Sequence, residues 1–207
     1  MALRLVPAAS LPDADVWDYH AEWCAAGEPL VPAASDLKGR DVAGWRADVL
    51  RMEADPPAGL VPSSLFFLIE ESEGRPLACL DLRHSLDTDW LRRYSGHIGY
   101  GVRPSERGKG YAKAMLRLAF PLARELGLSR LTVGHLEENP ASGAVIRACG
   151  GRAPEQVVQP DGRGSVRPPC VPLYDFIVKA GNAAMPAKSN ASPAKPVSLL
   201  PAGLSCF

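Results

Sequence analysis

The sequence predicts a mixed α/β domain in which a mostly antiparallel central sheet is flanked by helices. Apolar runs of strand type follow one another along the chain, and helical patterns interrupt them only at two places in the second half. Strands joined by short turns pair antiparallel, whereas a strand–helix–strand segment supplies one crossover between parallel strands. We therefore expect one sheet that contains a single crossover.

Two helices are predicted in the first third of the chain, over WDYHAEWCAAG and GRDVAGWRADVLRMEAD. In the second, Trp45, Val49 and Met52 fall on one stripe at helical spacing. The intervening GEPLVPAASDLKG is rich in proline and glycine and predicts a loop.

Three strands are predicted next. SSLFFLIEES and PLACLDLRHSL are short apolar runs on either side of Glu73-Gly74, which predicts a hairpin. The polar DTDWLRRYSG predicts a loop, and HIGYGVRP then returns to strand character until Pro104 ends it.

The second half predicts helix, strand, helix and two strands. Apolar residues recur every three or four positions over Gly110–Leu126, so an amphipathic helix closed by Gly127 is expected, with Pro121 bending its axis. RLTVGH predicts a strand. Asn139 and Pro140 then provide the N-cap and first position of another helix. The last predicted strands are EQVVQ and VPLYDFIV.

Composition bounds the organisation of the chain. Of its 207 residues, we assign 1–179 to one domain and 180–207, which are rich in alanine, proline, serine and lysine, to a disordered tail. The 23 basic residues balance the 23 acidic ones, so we expect no nucleic-acid or membrane partner. No signal peptide or spanning segment is evident and the five cysteines are scattered, which predicts a cytoplasmic protein without a metal site.

The segment YGVRPSERGKGYAKAML carries the chemistry. Gly108 and Gly110 let the backbone approach an anion, and the start of the following helix adds partial positive charge to that of Arg107 and Lys109. Such a turn suits a diphosphate. The spacing fails the nucleotide P-loop, which needs GxxxxGK[ST], and the dinucleotide fingerprint, because Lys113 stands where a glycine or alanine is required.

The pattern that does match is RxxGxG/A, over Arg107–Ala112, and here the chain resembles the GNAT superfamily of N-acetyltransferases, in particular a group of bacterial acetyltransferases. A second stretch, from Asn139 to Gly151, resembles the NxxSxxxxxxxGG element of the same enzymes. The resemblance covers about residues 64–179 and is sharpest over 97–151.

The resemblance implies acetyl-CoA as co-substrate. The backbone of residues 108–112 and the Arg107 side chain would hold the pyrophosphate, the fourth strand would pair with the pantetheine, and two residues of the last helix would meet the pantetheine arm or the adenosine side. The implied cofactor-binding residues are Tyr100, Gly101, Val102, Arg107, Gly108, Lys109, Gly110, Tyr111, Ala112, Asn139 and Ser142.

Catalysis requires a route for a proton, because a lysine-like amine with a pKa of roughly 10.4 is protonated at neutral pH. His97 stands where family members often carry a glutamate, so it is the first candidate base; the alternative is a buried histidine with a structural hydrogen bond. His135 is a weaker candidate. A free strand N–H near Gly101 would stabilise the oxyanion.

The acid that protonates the leaving thiolate is the open question. Many relatives place a tyrosine four residues after the helix serine, but this chain has Ile146 there. Either another hydroxyl, that of Tyr174 or Tyr100, takes the role, or the thiolate leaves unaided.

The predicted function is acetyl transfer from acetyl-CoA to a primary amine of a small molecule or peptide, directly within a ternary complex. Two alternatives are a catalytically silent acyl-CoA-binding sensor and a transferase of longer acyl chains. The resemblance places the acceptor among the first two helices and the 87–96 loop. In that loop we expect Trp90 to pack in the core or at an edge, and the alternative is that it overhangs the acceptor. Apolar edges of the last strands make a homodimer plausible.

Overall fold

The computed structural model describes residues 2–153 and 173–178. The predicted strand EQVVQ and the predicted tail at 180–207 lie outside these ranges. Within them, one sheet has its strands in the order β1 to β6. The strands are β1 (Leu3–Pro7), β2 (Ser63–Glu70), β3 (Pro76–Arg83), β4 (Ile98–Val102), β5 (Arg130–Gly134) and β6 (Leu173–Ile177).

Neighbouring strands are antiparallel except for β4 and β5, which run parallel. The helix between β4 and β5 makes that crossover. The fold class predicted from the sequence is confirmed.

Four α-helices flank the sheet: α1 (Asp13–Ala25), α2 (Val42–Ala54), α3 (Tyr111–Glu125) and α4 (Pro140–Ala148). The predicted N-cap of α4 is confirmed, because the Asn139 carboxamide oxygen accepts from the Ser142 N–H at 3.0 Å. Pro121 lies inside α3, which continues to Glu125.

Each face of the sheet has its own core. The face against α1 and α2 buries Trp23, Trp45, Phe67 and Cys79 among others. The face against α3 and α4 buries, in sequence order, Leu80, Leu82, Met115 and Ile146. Side chains alternate along β3, so Cys79 and Asp81 belong to the first face and Leu80 and Leu82 to the second.

Two local predictions differ from the structure. β1 was not predicted, because it is only five residues long, lies at the sheet edge and buries a single residue, Val6. Its hydrogen bonds to β2 define it, and those depend on a strand some sixty residues away. The predicted loop DTDWLRRYSG contains a short helical turn over Leu91–Ser95, where Leu91 is buried.

None of the helices in the described ranges combines the length and the apolar character that crossing a bilayer requires.

Candidate active site

The centre of the site is a gap between β4 and β5. The parallel ladder between these strands contains a single pair, Ile98 with Val133, so the rest of β4 has no ladder partner on that side. A cavity of about 670 Å³ opens between β4, the loop that follows it, and α4. Its lining includes Tyr100, Gly101, Val102, Arg107, Gly108, Gly110, Tyr111, Ala112, Asn139 and Ser142. Of the predicted cofactor-binding residues, Lys109 alone is not in the lining.

The ladder between β3 and β4 fixes which amides of β4 face this cavity. Arg83 N–H donates to the His97 carbonyl at 2.8 Å, and Arg103 N–H donates to the Leu77 carbonyl at 3.1 Å. Because a strand alternates its polar groups, Gly99 and Gly101 also point theirs at β3. The N–H and C=O groups of Tyr100 and Val102 therefore face the gap. The donor expected near Gly101 is thus the N–H of one of its two neighbours.

The glycine turn is shaped for an anion. Gly108 and Gly110 have φ values of 79° and 90°, in the left-handed region that glycine adopts without strain. No heavy atom lies within 4 Å of the Cβ that either residue would carry. Gly110 is the N-cap of α3, so the first N–H groups and positive end of that helix adjoin the same open space.

The cations of the turn have different environments. Arg107 makes a two-pronged ion pair with Glu28, at 2.9 and 2.7 Å, and lies over the ring of Trp23 at 5.1 Å. Lys109 bonds Glu106 at 2.8 Å. Lys113, in the first turn of α3, lines the cavity instead. Arg107 therefore reaches the cavity already paired, and Lys113 adds a cation that the motif did not indicate.

A tyrosine–serine pair joins the two walls of the cavity. The Tyr100 hydroxyl lies 2.7 Å from Ser142 Oγ, joining β4 to α4. Burial raises the pKa of Tyr100, which keeps its phenol protonated at neutral pH. Ile146, four residues after Ser142, is fully buried in the core.

His97 is held at the base of the gap. It is 7 % exposed, and its Nδ1 accepts from the Thr132 N–H at 3.0 Å. In the neutral ring the proton is then on Nε2, so no lone pair remains to accept another proton. Burial lowers the pKa of His97, which further opposes protonation. The arrangement agrees with the structural alternative, and His97 does not line the cavity.

Tyr174 and His135 lie apart from the cavity. The Tyr174 hydroxyl accepts from Arg147 at 3.0 Å, and the ring is stacked on His135 with centroids 5.8 Å apart. His135 Nε2 lies only 2.6 Å from where a Cβ on Gly143 would be. Neither residue lines the cavity. Of the two tyrosines considered as the acid, Tyr174 and Tyr100, only Tyr100 lines it.

Sequence reasoning missed the other wall of the cavity. Trp23 at the end of α1, followed by Glu28, Pro29 and Val31, covers the gap from the α1–α2 side. The Val31 carbonyl passes so close to Gly101 that a Cβ there would lie 2.1 Å from it. Only the absence of a side chain at Gly101 hints at this contact in the sequence.

Comparison with known proteins agrees with this geometry. The family model of the acetyltransferase (GNAT) domain matches residues 3–152. No curated protein matches the chain.

Solved structures share the fold. A mutant spermidine/spermine N-acetyltransferase SpeG from Vibrio cholerae has a TM-score of 0.56 at 14 % identity, covering 85 % of this chain and 94 % of its own. YncA from Salmonella typhimurium, a putative acetyltransferase with its cofactor acetyl-CoA, has a TM-score of 0.52 at 16 % identity, with 88 % and 98 % covered. A dodecameric spermidine N-acetyltransferase from Vibrio cholerae has a TM-score of 0.53 at 14 % identity, with 86 % and 93 % covered.

Proposed function

This chain belongs to the GNAT acetyltransferase family, and we propose that it transfers the acetyl group of acetyl-CoA to a primary amine, directly within a ternary complex. The observation that carries the proposal is the continuity of one cavity from the glycine turn at Gly108 and Gly110 to the unpaired edge of β4. One end suits a pyrophosphate, and the other presents strand amides to a pantetheine chain.

Acetyl-CoA would bind with its pyrophosphate at the backbone of residues 108–112, beside the N-terminus of α3. Arg107 would contribute charge while paired to Glu28, and Lys113 would contribute an additional cation. Tyr100 and Val102 would bond the pantetheine amides, while Asn139 and Ser142 of α4 would border the opposite side.

Transfer forms a bond from the amine nitrogen to the thioester carbon and breaks the bond from that carbon to sulfur. The N–H of Tyr100 or Val102, unused by the sheet, would donate to the oxyanion as it develops. The Tyr100 hydroxyl would then donate to the departing thiolate. It would take the role that a tyrosine four residues after the helix serine has in many relatives, since of the two candidates, Tyr100 and Tyr174, it is the one that lines the cavity.

A catalytically silent acyl-CoA-binding module is the second candidate. Ile146 replaces the usual acid, and His97 has no free ring lone pair. Both observations favour binding without turnover, and a turnover assay with a panel of amines separates the two functions.

Calorimetric titration of acetyl-CoA tests the shared premise. We expect micromolar binding to the wild type and none to the Gly108→Glu/Gly110→Glu variant, because two carboxylates would occupy the anion site. The matched control is Gly74→Glu/Gly127→Glu. These glycines also have positive φ values, of 72° and 78°, and open space where a Cβ would be. They do not line the cavity. Loss of binding in both double variants would assign the effect to strain, and absence of binding to folded wild type would refute the proposal.

Assembly and location remain predictions. We propose a homodimer that forms through the last strands, of which β6 is an edge of the described sheet. Cytoplasmic location is proposed on the sequence alone.

A further inference from the structure

A second cavity, of about 650 Å³, lies over β2 and β3 on the face that carries α1 and α2. Ala33 and Ala34 line it, whereas Pro29 and Val31 line the first cavity, so the 29–34 segment borders both. Trp90, 59 % exposed, also belongs to its lining, which agrees with the alternative that it overhangs the acceptor and not with the core packing expected from the sequence.

Asp81 in the floor of this cavity has an unused acceptor. The residue is 6 % exposed, and its Oδ2 lies 3.3 Å from Arg83 Nη2. Its Oδ1 is buried and accepts no hydrogen bond within 3.5 Å from the residues that the structure describes, although the Ser63 hydroxyl is near enough to lower the pKa of the carboxyl. A buried carboxylate oxygen without a donor is costly, so a donor from a ligand would be bound there favourably.

The environment of Asp81 also favours binding of an ammonium ion by its carboxylate. Burial raises the pKa of Asp81, while Arg83, the Ser63 hydroxyl and His84 lower it by a smaller amount. A raised pKa makes the carboxylate a better acceptor for the proton that an ammonium must lose before attack. In the sheet register Asp81 is opposite Gly99, directly before Tyr100, so it adjoins the strand that borders the first cavity.

The charge of the lining opposes a polycation. Four cationic side chains face two carboxylates, an excess of two positive charges: Lys38, Arg40, Arg51 and Arg83 against Asp48 and Asp81. Asp48 is already paired with Arg40 and, at 3.1 Å, with Arg51. Lys38 is exposed and has no ion-pair partner in the described part of the chain. A spermidine-like acceptor would add like charge here, whereas an acceptor with an acidic group would neutralise the excess.

We propose that this cavity binds the acceptor and selects an amine with an acidic group close to it, as in a free amino acid. Asp81 receives the ammonium, Arg83 receives the acid group, and Lys38 adds attraction. The short distance between Asp81 and Arg83 matches the close spacing of the two charges in such a ligand. This inference rests on the proposed acetyl transfer.

The test compares kcat/KM for free amino acids, the corresponding amino-acid amides and spermidine, in a protein first shown to bind acetyl-CoA. The amides keep the amine and lose the negative charge, so the ratio isolates recognition of the acid. We expect the acids to exceed the amides and spermidine by about tenfold or more.

Variants assign that preference to residues. Arg83→Met is expected to remove the preference for acids, and Arg83→Lys to retain part of it. Asp81→Asn, which keeps the shape of the side chain but cannot accept a proton, is expected to raise the KM of every amine by about tenfold and to lower kcat, while leaving the KM of acetyl-CoA unchanged. The control Asp55→Asn, outside both cavities, should match the wild type.

Equal turnover of acids and amides, a preference for spermidine, or turnover of other amines but not of acids would each overturn the inference. Failure to bind acetyl-CoA, or binding without turnover of any amine, would instead refute the proposed function, so the two failures are distinguishable.

Discussion

Two glycines of β4, two residues apart, have different reasons to be glycine. A Cβ on Gly101 would lie 2.1 Å from the Val31 carbonyl, whereas a Cβ on Gly99 would meet Pro32 Cβ at 3.4 Å and the Arg83 side chain at 3.7 Å. We expect Gly101→Ala to lower the free energy of unfolding by about 1–3 kcal/mol, because backbone must shift. It should also weaken acetyl-CoA binding, since Val31 lines the same cavity. Chemical denaturation and calorimetry measure the two effects.

Gly99→Ala is the matched control for that substitution, on the same strand and the same face. It should change stability by less than about 1 kcal/mol. If both variants lost stability equally, the close approach of Val31 would not be the reason for glycine at 101.

His97 predicts a pH dependence of stability. Burial holds the pKa of the folded-state imidazole below its ordinary value of 6.5. At pH values between the pKa of His97 in the folded state and that in the unfolded state, the unfolded chain binds more protons. The free energy of unfolding therefore falls as the pH drops below 6.5, and it becomes constant below the folded-state pKa. Urea denaturation between pH 8 and pH 5 should show a smaller decline in His97→Gln than in the wild type. If the variant lost as much stability as the wild type over this pH range, the pH dependence would come from a group other than His97.

Helix α4 is the element whose start borders the proposed cofactor site. Its N-cap is Asn139, and the N-cap of α2 is Asp41, whose carboxylate accepts from the Gly44 N–H at 2.8 Å. Removing either cap by alanine should cost about 1 kcal/mol of unfolding free energy, because an N–H loses its partner. Only Asn139→Ala should also weaken acetyl-CoA binding, because Asn139 lines the cavity and Asp41 does not.

Comparing the two capping variants separates stability from function. Denaturation midpoints should shift alike, while calorimetric affinity should change in one variant alone. An equal effect on affinity would show that general loss of stability, rather than the position of α4, controls binding.

At the scale of the whole molecule, a buried cation joins α1 to the turn that follows β4. Arg103 is 1 % exposed; it bonds Asp18 at 2.8 Å, the Pro76 carbonyl at 3.2 Å, and Glu22. Glu22 also accepts from the Ser105 N–H at 2.7 Å. We expect Arg103→Met to lower the free energy of unfolding by about 3 kcal/mol, because carboxylates and a carbonyl lose their donor. Thermal or urea denaturation measures it.

Arg130→Met is the control for an ion pair at the surface. Arg130 is largely exposed and lies 3.5 Å from Asp175, so its loss should cost less than about 1 kcal/mol. A similar cost for both variants would mean that the buried network contributes no more than a surface pair.

The sequence alone determined the glycine turn, the four α-helices and the strands that follow β1 in the described ranges. Patterns such as the stripe in α2, the hairpin at Glu73-Gly74 and the cap at Asn139 act over a few residues, so a local rule finds them. The predicted turn has the positive φ values and open space that its glycines suggest.

Only the tertiary structure decided which side chains meet. It placed Tyr100 beside Ser142 and paired Arg107 with Glu28. It also bonded the Nδ1 of His97 to the Thr132 N–H and left an oxygen of Asp81 without a hydrogen bond beside a cavity. The contact of Tyr100 with Ser142 joins residues 42 positions apart, and the contact of Arg107 with Glu28 joins residues 79 positions apart. Local sequence patterns hold no information about such contacts, because burial and sheet register depend on where distant segments pack.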